Sequence, residues 1–430
     1  MEEDLCDPGR EDRNSLLNGW NTIDLSSLPL DVWINHIIPH VALDWLYVNR
    51  FWHDVSFARL LSDDRVDPSN GAIVVAAGYS SERVVRLLLA DQRVNPTLVP
   101  PCHTISEHTL YWMNKAIYNS VLADRVPIVK LLLTPLWIDF LAGPFNILLE
   151  AVVRRGNTAM LALFLAHPTV TPLLQNRSQL LVSLAVKNIN ISTLRLLLSD
   201  ERVDPATDNL AALRWSAMNG RDMAVTMFLN HCRVDPCCGE NDVLVAASRG
   251  GHLSTVLLLL SDERIRTKEY FNVAMRTAAL HGHADIVELF LYQYNVPPTD
   301  FMFYWSARYG HDRVVALLLQ DGRVNPSFND NRAVRKVAKY GCCPVLYLLL
   351  QHSLVDPSAL NNEAIRCAAE RGHVDAVRCL LAHSRVDASA SDNLALRKAT
   401  LGGHESIMLL LLANERVRRH AITGGEREQC

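Results

Sequence analysis

Long hydrophobic runs are missing from this chain. No apolar stretch of the 430 residues approaches the ~18 needed for a membrane-spanning helix, and leucine blocks such as Val256 to Leu260 are far too short. Cysteine is sparse, with 10 residues in 430, well below the density of a disulfide scaffold. The opening MEEDLCDPGRED is acidic and polar, unlike the basic-then-apolar start of a secretory signal. These features lead us to expect reduced thiols and a location in the cytosol or nucleus. Neither charge dominates: 42 basic against 46 acidic residues leave a net charge of −4. Binding to nucleic acid or insertion in a membrane is therefore not expected. Catalytic signatures are missing too, including P-loop, dinucleotide fingerprint, nucleophile elbow, kinase motifs and an H-E-x-x-H helix. His404–Glu405 runs into Ser406-Ile407-Met408 and lacks the second zinc ligand. We expect no catalytic residue, metal or cofactor, and no enzyme.

What is present is repetition. A leucine-rich block recurs as RLLLAD, KLLLTP, ALFLAH, RLLLSD, TMFLNH, LLLLSD, ELFLYQ, ALLLQD, YLLLQH, RCLLAH and LLLLAN. The last apolar residues, from Leu89 to Leu412, are separated by 44, 32, 33, 31, 31, 31, 28, 31, 31 and 31 residues. Eleven blocks at a nearly fixed period define a repeat protein.

The later units share one grammar. Asn241, Asn272, Asp300, Asn331, Asn362 and Asn393 open them and read as helix N-caps. A short helix follows, with small residues on one face (Ala278–Ala279, Ser306–Ala307, Ala368–Ala369) that permit close helix approach. Gly–His closes it at Gly251–His252, Gly282–His283, Gly310–His311, Gly372–His373 and Gly403–His404, the glycine suiting a left-handed cap. The V-x-x-LLL segment then supplies an amphipathic second helix. It ends at an R-V-D/N-P turn, for example at Arg202, Arg233 and Arg323. Such a unit buries its leucine face only by stacking on its neighbours.

This grammar resembles that of ankyrin repeats over about residues 66–418, in the Gly–His pair, the small-residue pair and the LLL block. It departs from the family pattern in its period of 31 and in an Asn-x-Ala-φ-Arg opening (φ, an apolar residue), which implies a shorter protruding turn. Arg214, Arg276, Arg335, Arg366 and Arg397 take the place of the family's motif histidine. Their periodicity, and that of the histidines, favours structural hydrogen bonding over catalysis. The expected fold is an all-α ankyrin-repeat solenoid of about eleven helix-turn-helix units behind a short amino-terminal helical module. The array spans residues 62–418, with a loop insertion at 97–110 and a tail at 419–430. The second to fourth units lack Gly–His, with Asp124–Arg125 and Lys187–Asn188 standing near its place.

Ser26 to Leu61 opens with Leu-Pro and closes on Val48-Asn49-Arg50-Phe51-Trp52. Residues 25–61 resemble an F-box, and residues 1–24 read as a disordered tail. The resemblance implies docking to a Skp-type linker of a cullin-RING ubiquitin ligase through Leu28, Pro29, Ile34, Ile37, Ile38 and Trp52. The same apolar pattern suits an intramolecular cap on the first repeat, and both readings stand at this point.

In ankyrin arrays a protein partner lies on the concave side. By that resemblance its contacts map to the two residues before each Gly–His pair or its equivalent. These are Met218, Asn219, Leu280, His281, Arg308, Tyr309, Lys339, Tyr340, Glu370 and Arg371. Arg308, Tyr309, Lys339 and Tyr340 form two successive basic-aromatic steps, residue types enriched at binding hot spots. Trp215 and Trp305 read as partly buried packing residues. His231, Cys232, Cys237 and Cys238 lie close together but lack zinc spacing. The expected molecule is a monomeric protein-binding adaptor or scaffold.

Overall fold

A computed structural model describes residues 72–79, 82–90, 107–133, 145–167, 170–237, 242–265 and 268–420. The F-box-like segment, with Leu28, Pro29, Ile34, Ile37, Ile38 and Trp52, lies outside them, as do Asn241 and Cys238. Among the described residues there is no strand, and eleven helix pairs follow one another. The first pairs are α1 (Ala72–Tyr79) with α2 (Glu82–Ala90), and α3 (Glu107–Leu122) with α4 (Val126–Leu132). Next come α5 (Phe145–Arg155) with α6 (Thr158–Ala166), and α7 (Thr171–Lys187) with α8 (Ile191–Ser199). They are followed by α9 (Thr207–Met218) with α10 (Asp222–Leu229), and α11 (Asp242–Gly250) with α12 (Leu253–Leu260). Then α13 (Lys268–Leu280) pairs with α14 (Ala284–Glu288), which continues through a π-helical turn at Leu289–Gln293. The last four are α15 (Asp300–Tyr309) with α16 (Asp312–Asp321), α17 (Phe328–Tyr340) with α18 (Cys343–Leu350), α19 (Ala359–Glu370) with α20 (Val374–Leu381), and α21 (Ala390–Leu401) with α22 (Glu405–Ala413). The loop expected at 97–110 is shorter than the sequence suggests, because residues 107–110 already form the first turn of α3.

The described residues fall into two compact parts, one running to Val152 with Asn157–Leu173, the other comprising Val153–Gly156 and the chain from Leu174. In the first, α1 packs on α3 and α2 on α4, and α4 packs on α6. In the second, first helices stack in the row α9, α11, α13, α15, α17, α19, α21, and second helices in the row α8, α10, α12, α14, α16, α18, α20, α22. Stacking follows from side-chain size. The first helices meet through Ala278, Ala279, Ser306, Ala307, Ala338, Ala368 and Ala369, all with no exposed surface. The second helices bury an i, i+3 pair in each unit: Val256/Leu259, Val287/Phe290, Val315/Leu318, Leu346/Leu349 and Val377/Leu380, also with no exposed surface. Each such side chain contributes about 1.5–3 kcal/mol of burial free energy, available only while its neighbours remain folded.

The asparagines at the unit starts do not cap helices. Asn331, Asn362 and Asn393 each end a run of three left-handed residues, Asn329–Asn331, Leu360–Asn362 and Ser391–Asn393, with φ between 52° and 58°. Asn and Asp tolerate this conformation better than other non-glycine residues because their short polar side chains bond locally. Asn331 Oδ1 instead accepts from the Asp356 backbone N–H, and Asn362 Oδ1 from that of Asp387, both at 2.8 Å and in the turn of the next unit. Asp300 reaches the Asn325 N–H in the same way at 2.6 Å, while the residue that caps α15 is Thr299, whose hydroxyl accepts from Met302 N–H. Asn272 lies exposed within α13.

Candidate functional site: the first-helix face

Between the two helices of each unit, the Gly–His pair sets how one first helix sits on the next. The glycine after each first helix is left-handed: φ is 80° at Gly310, 72° at Gly341 and 78° at Gly372. At Gly310 the cap is a Schellman pair, with Gly310 N–H donating to Ala307 O and His311 N–H to Ser306 O. A Cβ on Gly341 would lie 2.6 Å from His373 Nδ1, so glycine also makes room for the imidazole of the following unit. In four of the five Gly–His units the other ring nitrogen of the histidine bonds a carbonyl at the end of the preceding first helix. His283 pairs with Arg249 O, His311 with Leu280 O, His373 with Lys339 O and His404 with Glu370 O, at 2.9–3.2 Å. These histidines are thus inter-unit struts.

The units without Gly–His keep the same turn with other residues. In the fourth unit the left-handed residue is Ile189 (φ 61°), so the turn is Ile189–Asn190 and not Lys187–Asn188. Asn190 Nδ2 does the work of the histidine, donating to Val153 O and Arg154 O at 3.0 Å. Asn157, after left-handed Gly156, caps α6 through Met160 N–H and donates to Asp124. Cys342 takes the histidine position after Gly341, and burial pushes its thiol pKa up.

Three arginines of the series, Arg335, Arg366 and Arg397, hold the left-handed turns. Arg335 donates to Asp330 O at 2.9 Å, Asn329 O at 3.1 Å and the Glu363 carboxylate at 2.5 Å. Arg366 and Arg397 bond Leu360 O and Ser391 O, and Arg214 pairs with Asp242. The turn arginines form a second ladder. Arg264 bonds Val234 O and Leu229 O, Arg233 bonds Glu201 O and Arg385 bonds Val355 O in the preceding turn. Asp200, Asp262 and Asp321 hold Arg202, Arg264 and Arg323 two residues on. Those hydrogen bonds keep the three carboxyl groups below the usual aspartate range.

These supports leave the outer face of the first-helix row to other side chains. Met218 and Asn219 are exposed at the end of α9, where Asn219 Nδ2 turns back to Trp215 O. Leu280 is half-buried, and exposed His281 bonds Thr277 O and stacks at 6.3 Å on His283. Glu370 and Arg371 are exposed at the end of α19. Lys398 binds Glu370 and holds its carboxyl below the usual range. At about 10 Å per packed helix, Met218 and Asn219 stand roughly 30 Å from α15 and do not join it.

Arg308, Tyr309 and Tyr340 are brought together. Arg308 donates to the Tyr340 hydroxyl at 3.2 Å, and its guanidinium lies 5.3 Å from that ring and 4.7 Å from Trp305. Trp305 stacks on Tyr309 at 5.5 Å and meets Phe301 edge-on at 5.7 Å. Trp305 is half-buried, and it is also the middle ring of a surface cluster. Phe301, Tyr309 and Tyr340 are 54%, 55% and 47% exposed. Beside them, Arg332 covers buried Tyr304 at 4.6 Å, and half-buried Lys336 and Lys339 continue along α17. Phe301, Arg332 and Lys336 were not anticipated from the sequence. The i, i+4, i+8 spacing of Phe301, Trp305 and Tyr309 was the available signal, since it places three rings on one side of a helix.

The Cys237 thiol faces Arg264 O, and burial raises its pKa. Among the described residues no group of three or more His, Cys, Asp or Glu is placed to hold a metal. Nor is any described helix long and apolar enough to cross a membrane.

The family model described as ankyrin repeats (3 copies) matches residues 332–420. That stretch is similar to ankyrin repeats. It coincides with the last three helix pairs, α17 to α22, and a left-handed residue between paired helices recurs upstream at Asp124, Gly156, Ile189, Gly220, Gly251, Gly282 and Gly310. The fold is an all-α repeat solenoid, and the match to ankyrin repeats supports a role in protein–protein interaction. No curated protein matches the chain.

Proposed function

We propose that this protein is a recruiting adaptor. Its first-helix face binds a target protein, and the F-box-like segment at residues 25–61 delivers that target to a cullin-RING ubiquitin ligase. One observation supports the target-binding half: the side chains of α15 and α17 that are not used in stacking form a continuous aromatic and basic surface. The delivery half rests on the resemblance of Leu28-Pro29 through Trp52 to an F-box. The mechanism is proximity, in which tethering target and ligase to one chain raises their effective concentration without chemistry by the adaptor. Such a protein works in the cytosol or nucleus, as a monomer.

The test is co-precipitation of purified full-length chain with a purified Skp-type linker, beside a Leu28→Asp, Ile37→Asp double variant. Binding by the wild type that is lost in the variant, with far-UV helicity and melting unchanged, is the expected result. A folded wild type that fails to bind overturns the delivery step and leaves a scaffold that sequesters its partner. Loss of helicity in the variant assigns the segment to capping the repeats.

A further inference from the structure

We propose that the α15–α17 surface docks an acidic segment of a partner protein, with its carboxylates on Arg308, Arg332, Lys336 and Lys339 and an apolar side chain along Phe301, Trp305 and Tyr309. This rests on the protein-binding reading above and names the chemistry of the partner.

Counted back from the glycine that ends each first helix, the same three outward positions can be compared in successive units. They hold Phe301, Trp305 and Arg308 before Gly310, then Arg332, Lys336 and Lys339 before Gly341, and Glu363, Cys367 and Glu370 before Gly372. Packing therefore does not dictate these positions, since aromatic, basic and acidic sets all fit. The acidic set is already neutralised from its own array, Glu363 by Arg335 and Glu370 by Lys398. The basic set is not. Among the described residues, no carboxylate forms an ion pair with Arg308, Arg332, Lys336 or Lys339. In a chain of net charge −4, four cations on two adjacent helices with no close ion pair, and only Lys339 under the longer-range influence of Glu370, are a local excess that an external anion can match.

The aromatic rings favour a protein segment over a nucleic-acid strand. Base binding needs open ring faces. Trp305 already carries Arg308 over its ring and Tyr309 stacked on it, and Arg332 covers Tyr304. What remains open is the exposed flank of Phe301 and Tyr309, which suits an aliphatic or aromatic side chain. Eight residues separate Phe301 from Tyr309, about 12 Å along a helix, the length of three or four extended residues. A short segment with one apolar anchor and carboxylates on the α17 side fits this span.

The experiment pans a phage-displayed library of random peptides, roughly twelve residues long, on the full-length chain. Selected peptides are then titrated by fluorescence anisotropy, with an oligo(dT) strand of similar length in parallel. Expected are peptides rich in Asp and Glu with an apolar residue, whose affinity falls about tenfold for Lys336→Glu, Lys339→Glu and falls again as salt rises. Trp305→Ala should also weaken binding while preserving its salt dependence. If charge reversal lowers the melting temperature, Lys336→Gln, Lys339→Gln is used instead. The idea is overturned if no peptides are selected, if they lack acidic enrichment, or if their affinity is indifferent to these variants. Tighter binding of oligo(dT), lost in the same variants, overturns it in favour of a nucleic-acid strand. Neutral peptides that depend on Trp305 would discard the acidic partner and keep the protein-binding reading. The linker assay depends on Leu28 and Ile37 and is independent of all these outcomes.

Discussion

Replacing Gly341 by alanine tests the strut that supports the basic-aromatic surface. Gly341 has φ 72°, and an added Cβ would lie 2.6 Å from His373 Nδ1 and 2.8 Å from its Cγ. The left-handed backbone alone costs a non-glycine residue about 1–2 kcal/mol. The clash is a separate cost. The imidazole must move, and its 3.0 Å bond to Lys339 O at the end of α17 is lost, worth about 1 kcal/mol or more for a partly buried group. The expected loss is about 2–4 kcal/mol. Gly322 is an internal control, because its φ is 76° but nothing lies within 4 Å of a Cβ there. Gly322→Ala should therefore cost only the backbone share, about 1–2 kcal/mol. Chemical denaturation followed by circular dichroism gives the global change, and amide hydrogen exchange over α17–α20 gives the local one, which matters in an array that can open unit by unit. The double variant Gly341→Ala, His373→Ala separates the terms. If the ring is what alanine strikes, the double variant loses less than the two single variants together, by about 1 kcal/mol. Equal destabilisation at Gly341 and Gly322, or strict additivity with His373→Ala, would refute the strut.

Arg335→Ala should cost about 2–4 kcal/mol, since it leaves Glu363 and the carbonyls of Asn329 and Asp330 without their donor; a loss below about 0.5 kcal/mol in the same denaturation assay would contradict that role. Thr299→Ala should cost about 1 kcal/mol by removing the acceptor for Met302 N–H, and it should raise amide exchange at the start of α15 alone. Asp200, Asp262 and Asp321 have lowered folded pKa values, so their stabilisation is complete above the unfolded aspartate value near ~4 and fades as pH falls through the folded values. A triple Asn variant should therefore be less stable than the wild type at neutral pH, and the gap should close in acid; a gap independent of pH would exclude this linkage.

The repeat architecture was legible because its cause is local and recurs. A leucine block that buries only by stacking imposes a fixed period, and small residues must recur where first helices touch. The histidines and arginines were legible as structural for the same reason. The asparagines at the unit starts misled because one side-chain chemistry serves two purposes. A short amide that can accept an N–H suits an N-cap, and it equally suits a left-handed residue that reaches forward to the next turn. Sequence does not say which N–H is nearer. The fourth unit was misplaced by two residues because Ile189 takes a left-handed φ that side-chain sterics disfavour. Among the partner-face residues, Arg308, Tyr309 and Tyr340 form one cluster, while Met218 and Asn219 stand apart from it, a distinction that follows from which unit each occupies. Phe301 escaped notice because aromatic residues at helical spacing ordinarily mark a core stripe.

The gap of 28 residues in place of 31 between Leu291 and Leu319 links the repeat grammar to the surface. From the turn valine to the closing glycine, the unit ending at Gly310 is three residues shorter than those ending at Gly341 and Gly372. Three is also the length of the left-handed turn in the later units. Where that turn is absent, Thr299 caps the helix directly, and no carbonyls of left-handed residues need a donor. The arginine that supplies them in α17, α19 and α21 is here Tyr304, buried at 3% exposure beneath Arg332. The loss of the turn thus frees one buried position for an aromatic ring, which draws Arg332 of the next unit toward α15. The aromatic and basic cluster forms at a repeat whose opening lacks both the turn and its arginine. Restoring the turn and its arginine together, by inserting three residues after Pro298 with Tyr304→Arg, should preserve the stacking of α15 on α17 while releasing Arg332 from its ring. Retained cooperative unfolding with weakened binding of the acidic probe peptides is the expected outcome. Unchanged binding would show that the deletion and the surface are independent.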